Sequence, residues 1–288
     1  MDVLLTGATG YIGSVVLAQL REAGHTVRAV VRSERSAEQV TAAGATAVQG
    51  DLTDRAWLVG QLRDVDAAIH TASPGDATSP AFDGAVVASA VEAFAGTSKP
   101  YLHTSGLWIY GSGEGLSESS PINPPALTAW RPAVEAGVLG SDLVASVVVP
   151  AVVYGHGGGL PNLVVDGPRD GSGRLVMVGD GSQHWGVVHV DDVATLYVAV
   201  LESGRALGRV LAVTDENPTV RDVAEATGAD VVAEPVEQTR ARLGEAFADA
   251  LLLDQQFVLG GKAATLGWSP QGPTLVDDVL RGSYAQHG

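Results

Sequence analysis

A glycine-rich turn between a short apolar run and a helical one constrains this chain more than any other feature. Residues 3–6 read as a strand, aliphatic through Leu5, and lead into Thr6-Gly7-Ala8-Thr9-Gly10-Tyr11-Ile12-Gly13, after which residues 14–23 read as an amphipathic helix stopped by Gly24. Strand, glycine turn and helix in that order open a βαβ unit. The turn leaves backbone N–H groups free at the positive end of a helix dipole. With no side chain at Gly7, Gly10 or Gly13, the backbone can approach a pyrophosphate closely. The turn therefore predicts a dinucleotide site with Gly7, Thr9, Gly10, Tyr11, Ile12 and Gly13 around the phosphates.

Short β-branched and aliphatic runs alternate with longer amphipathic segments through the first half, the pattern of a parallel sheet covered by helices. The strand candidates are 3–6, 27–31, 45–48, 67–71, 101–104 and 144–149, several of them apolar on both faces as doubly buried strands are. The expected fold class is α/β: a Rossmann-type doubly wound parallel sheet over residues 1–150 and a smaller C-terminal substrate-binding region over 151–288, with a crossing of the chain between them left open. In the second region, glycines cluster at 157–159 and 171–173 around strand-like pieces such as 175–178. Helical patterns follow at 190–202 and 220–226. The acidic, alanine-rich segment 236–253 reads either as a movable lid or as a permanently packed amphipathic helix.

Charge and cysteine content exclude several classes. The 288 residues hold 33 acidic against 17 basic side chains, a formal net charge of −16, and no cysteine. A disulfide scaffold or thiolate zinc site is impossible, and an acidic surface repels nucleic acid and anionic lipid. The longest apolar stretch, 143–154, is interrupted by Ser146 and Pro150 and falls short of the roughly 20 residues of a membrane span. Asp2 and Gly7 interrupt a leader-like start. The expectation is a cytoplasmic protein with a small-molecule partner, no nucleic acid and no membrane; protein partners are not legible.

The spacing Gly7-x-x-Gly10-x-x-Gly13 resembles the fingerprint of extended short-chain dehydrogenases/reductases, the NAD-dependent epimerase/dehydratase-like family. The similarity runs on through Gly50-Asp51-Leu52, Thr71-Ala72-Ser73, Tyr110-Gly111, Pro150 with Val153-Tyr154-Gly155, His189-Val190-Asp191-Asp192-Val193 and Leu266-Gly267-Trp268-Ser269-Pro270. It implies a nicotinamide dinucleotide with Asp51 and Leu52 at the adenine. Thr71, Ala72, Ser73, Thr104, Pro150, Val152 and Val153 would line the rest of the cofactor. At the end of the second strand an acidic residue would accept from a free ribose, but Val31-Arg32-Ser33-Glu34-Arg35 offers two guanidinium groups and a hydroxyl instead. Arg32, Ser33 and Arg35 suit a 2′-phosphate, which favours NADPH/NADP+ over NADH.

The usual catalytic pair of that family, a tyrosine four residues before a lysine, is missing. The two lysines, Lys99 and Lys262, follow Ala95 and Val258 at that spacing. Anchored on Glu135, the motif puts Leu127 and Arg131 in the two places; a shifted register puts Trp130 and Val134 there. Gly106 falls at the usual catalytic hydroxyl. Ser105, Tyr110 and Arg131 remain as substrate-orienting candidates, and no side chain is expected to be the principal proton donor. A phenol on the substrate beside the ketone would hold that role.

His184, His189, Asp191 and Asp192 lie close in sequence, but no helix puts both histidines on one face, so no metal site is expected. His70 and His103 are expected near strand ends. Trp108, Trp130 and Trp185 fall in segments near the carboxyl rim of the sheet, where they either stack on a flat ligand or pack internally. The segments 104–108 and 129–132, with the missing pair, resemble ketoreductases that act on angucyclinone-type aromatic polyketides in antibiotic biosynthesis. The resemblance implies NADPH-dependent reduction of an aromatic ketone. A nucleotide-sugar epimerase or dehydratase and a noncatalytic NADPH-binding regulator are the alternatives.

Overall fold

The computed structural model describes residues 1–285. Seven parallel strands form one sheet. In chain order they are β1 (Asp2–Thr6), β2 (Thr26–Val31), β3 (Thr46–Gln49), β4 (Ala67–His70), β5 (Pro100–Thr104), Val144–Pro150 and Gly208–Ala212. In space the order is Gly208–Ala212, Val144–Pro150, β5, β4, β1, β2, β3, so the winding reverses between β1 and β4 and opens a crevice at their carboxyl ends. All four residues of β4 are buried, as are Val3, Leu4 and Leu5 of β1. These are the runs that are apolar on both faces, and helices cover both sides of them.

The crossover helices are α1 (Tyr11–Glu22), α2 (Glu34–Ala42), α3 (Arg55–Arg63), α4 (Ser79–Phe94) and α5 (Arg131–Leu139). α1 turns Val16, Leu17 and Leu20 inward and packs against the helix Val190–Ser203, which covers the sheet after Pro150. The expected strands are present with shifts of one residue: β3 begins at Thr46 because Ala45, whose N–H bonds to Val40 O, still closes the turn after α2. Residues 175–178 pair over Leu175–Val176 alone, against Val231–Val232.

Gly208–Ala212 pairs with Val144–Pro150 at the sheet edge, so the chain does cross back from beyond residue 150. The remaining pieces stand over the carboxyl ends of the strands. They include a small sheet of Val152–Gly155, Gly158–Gly159 and Val187–His189, and a pairing of Gly113–Leu116 with Gln255–Phe257. Segment 236–253 folds as two helices, Val236–Leu243 and Glu245–Leu251, broken at Gly244 with φ 83°. Among the described residues no helix is long and apolar enough to cross a membrane.

Candidate dinucleotide and substrate site

The turn after β1 is built as its spacing predicts. Gly7 has φ 76°, and a Cβ there would lie 2.6 Å from the Ala72 nitrogen. At Gly13 a Cβ would lie 2.1 Å from the Gly7 carbonyl oxygen, so the first turn of α1 rests directly on the glycine loop. Gly10 caps α1 with no side-chain bond, which leaves first-turn amides of Tyr11 and Ile12 for an anion. Thr71 Oγ1 donates to Thr6 O (2.7 Å) and Ala72 N–H donates to Thr6 Oγ1 (3.3 Å), fastening the end of β4 beside the loop. Thr9 is exposed at its tip.

At the other end of the crevice β2 stops at Val31, and Arg32, Ser33 and Arg35 are exposed with no acidic residue among them except Glu34. Neither arginine makes an ion pair within 4.0 Å among the described residues, so both guanidinium groups are available. Ser33 caps α2, accepting from Ser36 N–H (3.2 Å) and donating to Ser36 Oγ (3.0 Å), which occupies much of its bonding capacity. Asp51 and Leu52 follow β3. Hydrogen bonds from the Thr53 N–H and hydroxyl (2.8 Å each), with Arg32 nearby, hold the Asp51 carboxyl below its ordinary range.

A cavity of about 720 Å³ continues the crevice over the carboxyl ends of β1, β4, β5 and Val144–Pro150. Tyr11, Ile12, Ser73, Pro150, Val152 and Val153 form its dinucleotide side; Ser105, Trp108, Trp130 and Arg131 form the facing side. The Tyr11 hydroxyl donates to Gly155 O (2.8 Å), tying the glycine loop to the C-terminal region. The Arg131 guanidinium stacks 4.7 Å above the Trp130 ring, and Trp108 meets Phe247 edge-on at 6.2 Å. Ala246, beside Phe247 in the helix Glu245–Leu251, also lines the cavity, so segment 236–253 roofs the site.

Two of the residues expected at the substrate lie elsewhere. Trp185 is 2% exposed and its Nε1 donates to Leu251 O (3.0 Å); it packs under the roof and does not face a ligand. Tyr110 is off the cavity wall, 2% exposed, edge-on to Phe257 at 5.8 Å, and burial pushes its phenol up to about 12. Its landmark turn, closed at Gly111 with φ 67°, is what it builds. The Thr104 hydroxyl donates to His70 O (2.6 Å) and receives the Tyr197 hydroxyl at 2.5 Å. Local sequence does not say which side of a rim segment faces the crevice.

Beneath the wall lie charged groups that no local pattern singled out. Ser105 Oγ donates to Glu135 Oε1; Glu135 is 1% exposed, and Arg209 Nε reaches its Oε2 at 2.5 Å. Asp83 is buried between His70 Nε2 (3.4 Å) and His103 Nε2 (3.7 Å), and burial holds His103 well below its ordinary range. Burial likewise lowers the Arg131 guanidinium, partly offset by the charges of Asp83 and Glu135. The signal in the sequence was a carboxylate on the buried face of a helix, Asp83 in α4 and Glu135 in α5.

The four residues considered for a metal do not converge. His184 pairs with Asp254 (2.9 Å), and Asp192 accepts the Gln271 and Gly272 N–H groups (2.8 and 3.0 Å). His156, at φ 54°, brings Nε2 within 3.2 Å of Asp191 Oδ2 beside His189. His189 Nδ1, however, accepts the Asp191 N–H (3.3 Å) as the cap of Val190–Ser203, which uses the lone pair a cation would need.

Fold and crevice together define an NAD(P)H-binding protein of Rossmann type. Residues 7–115 match the family model for NAD(P)H-binding domains. Over 99% of this chain and 100% of its own length, an uncharacterized protein of Schizosaccharomyces pombe is 29% identical. Tetraketide alpha-pyrone reductase 2 of Arabidopsis thaliana is 29% identical over 73% of this chain and 77% of its own. The fold is that of extended short-chain dehydrogenase and epimerase structures. UDP-glucose 4-epimerase of Thermus thermophilus with NAD superposes at TM-score 0.73, 20% identity, over 100% of this chain and 99% of that one. A human epimerase family protein with NADPH superposes at 0.76, 21% identity, over 99% of each.

Proposed function

We propose that the protein is an NADPH-dependent ketoreductase acting on a flat aromatic ketone, of the angucyclinone polyketide type met in antibiotic biosynthesis. The observation that carries the reading is the cavity of about 720 Å³ that continues the dinucleotide crevice and is lined by Trp108 and Trp130. Two indoles on one wall suit a polycyclic ligand better than a sugar. Reductases among the relatives and the resemblance of segments 104–108 and 129–132 to the simocyclinone-pathway ketoreductase support it. The free Arg32 and Arg35 guanidinium groups favour the 2′-phosphate, and bound NADPH would supply hydride at the cavity mouth.

The chain's own residues then bind and orient. Arg131, with donors to spare, draws the carbonyl oxygen and steadies negative charge that develops on it. Leu127 and Arg131 stand where an epimerase or dehydratase would need tyrosine and lysine, so the proton comes from the ligand, from a phenol beside the ketone. Mixing the purified protein with NADPH and a panel of aromatic polyketide ketones, and following loss of the reduced-nicotinamide absorbance, tests this. Turnover of a polycyclic ketone is expected. Turnover of a nucleotide sugar instead, or tight NADPH binding with no turnover of any ketone, would replace the reading by one of its rivals.

A further inference from the structure

Ser105 stands on the cavity wall, yet its one hydroxyl proton is already placed. It donates to Oε1 of Glu135, which projects from the buried face of α5 and is 1% exposed. The other carboxylate oxygen receives Arg209 Nε at 2.5 Å, from the edge strand Gly208–Ala212. Each oxygen thus has a donor, and withdrawing either would strand a buried acceptor. A carboxylate paired in this way has no proton to return. Ser105 therefore turns only lone pairs toward a ligand.

Arg131 has the opposite polarity. A guanidinium donates through five N–H bonds and accepts none. Its hydrogen bond among the described residues is a long one, Nη1 to Thr104 O at 3.4 Å, and Thr104 is the residue before Ser105. A donor-only group and an acceptor-only group are therefore neighbours on the lining of a cavity that Trp108 and Trp130 also line.

We propose that Glu135 sets the specificity of this site: by holding the Ser105 proton it makes Ser105 a hydrogen-bond acceptor, so the cavity takes an aromatic ketone that carries, besides the phenol hydrogen-bonded to its carbonyl, a second hydroxyl directed at Ser105, with the carbonyl oxygen toward Arg131. The carbonyl half rests on the proposed ketone reduction; the hydroxyl half stands without it. Glu135 touches no ligand and acts as a positioning residue. A methyl ether at the same place would set two acceptors against each other.

Quenching of the tryptophan fluorescence, to which Trp108 and Trp130 of the cavity lining contribute, reads ligand binding to the full chain with saturating NADP+. The probes are 1-naphthol and 1-methoxynaphthalene, which share a ring system and differ in the hydroxyl proton. Wild type is expected to prefer the naphthol by about tenfold or more. In Glu135→Gln the amide can accept from Arg209 and donate to Ser105, turning the serine proton outward, and the ratio should fall below about threefold. Ser105→Ala should lower the ratio equally while keeping the Glu135–Arg209 pair, and it decides the matter if Glu135→Gln fails to fold. A purely structural role would weaken both probes in parallel and leave the ratio intact. Equal wild-type affinities, binding of neither probe, or an undiminished ratio in Ser105→Ala would overturn the proposal. Failure of the reductase reading shows separately, as no NADPH oxidation with 8-hydroxy-1-tetralone while the naphthol ratio persists.

Discussion

Replacing Gly13 with alanine sets two effects of opposite sign against each other. Alanine favours a helix over glycine by about 1 kcal/mol. Against that, the new Cβ would lie 2.1 Å from the Gly7 carbonyl oxygen, 2.7 Å from its carbon and 2.7 Å from Thr71 Oγ1. Non-bonded carbon contacts relax only near roughly 3.5 Å, so α1 must retreat from the glycine loop by about 1 Å. Overpacking of that kind costs about 1–3 kcal/mol, and the loop has backbone on the other side, so the clash outweighs the propensity. The retreat also withdraws first-turn amides from the phosphates. Losing one charge-assisted bond of about 2 kcal/mol weakens the dinucleotide roughly thirtyfold. Gly60 in α3 is the control: a Cβ there meets nothing within 4 Å, so Gly60→Ala should gain up to about 1 kcal/mol and bind normally. Denaturant midpoints and NADPH titrations of the two variants decide it. Wild-type NADPH affinity in folded Gly13→Ala would refute the claim that backbone contact at this turn holds the pyrophosphate.

Arg32→Asp should weaken NADPH by about 2 kcal/mol, roughly thirtyfold, while sparing NADH; equal NADPH affinity in the two proteins would remove Arg32 from the ribose site. Ser105→Ala and Tyr110→Phe should each keep most of kcat, because the Ser105 proton is held by Glu135 and the Tyr110 hydroxyl is off the wall. Methylating the substrate's neighbouring phenol should nearly abolish turnover, since a side-chain or ligand acid contributes roughly a hundredfold or more; normal turnover of the ether would sink that mechanism. Segment 236–253, which roofs the cavity through Ala246 and Phe247, should gain hydrogen-exchange protection with NADP+ and ketone bound. Unchanged protection there would make it a fixed wall.

The central strands could be read from the sequence because their environment is symmetric. In β4, Ala67, Ala68 and Ile69 are apolar because helices cover both faces, and the run alone says so. The opposite sheet edge, β3, was readable as well, but Gly208–Ala212 escaped. It begins with glycine and arginine, is only half-buried at those two residues, and finds its place through pairing with Ser146 and Val147. The glycine turn was legible for a local reason too, since Gly7, Gly10 and Gly13 answer to atoms within a few residues or to the neighbouring strand end. The substrate wall was not. Ser105 meets Glu135 30 residues on and Glu135 meets Arg209 74 residues on, contacts that only the closed sheet creates. Trp108 and Trp185 are alike as isolated tryptophans, and one lines the cavity while the other is sealed beneath its roof.

On the proposed reading, hydride passes from a nicotinamide in the crevice to a ketone in the adjoining cavity. NADPH carrying deuterium on its nicotinamide C4, incubated with the protein and a hydroxylated polycyclic ketone, tests it by mass spectrometry of the alcohol formed. Deuterium is expected on the carbinol carbon from one face of the nicotinamide, with loss of the signal in Gly13→Ala at limiting cofactor. Saturable NADPH binding with no label in any ketone of the panel would contradict it.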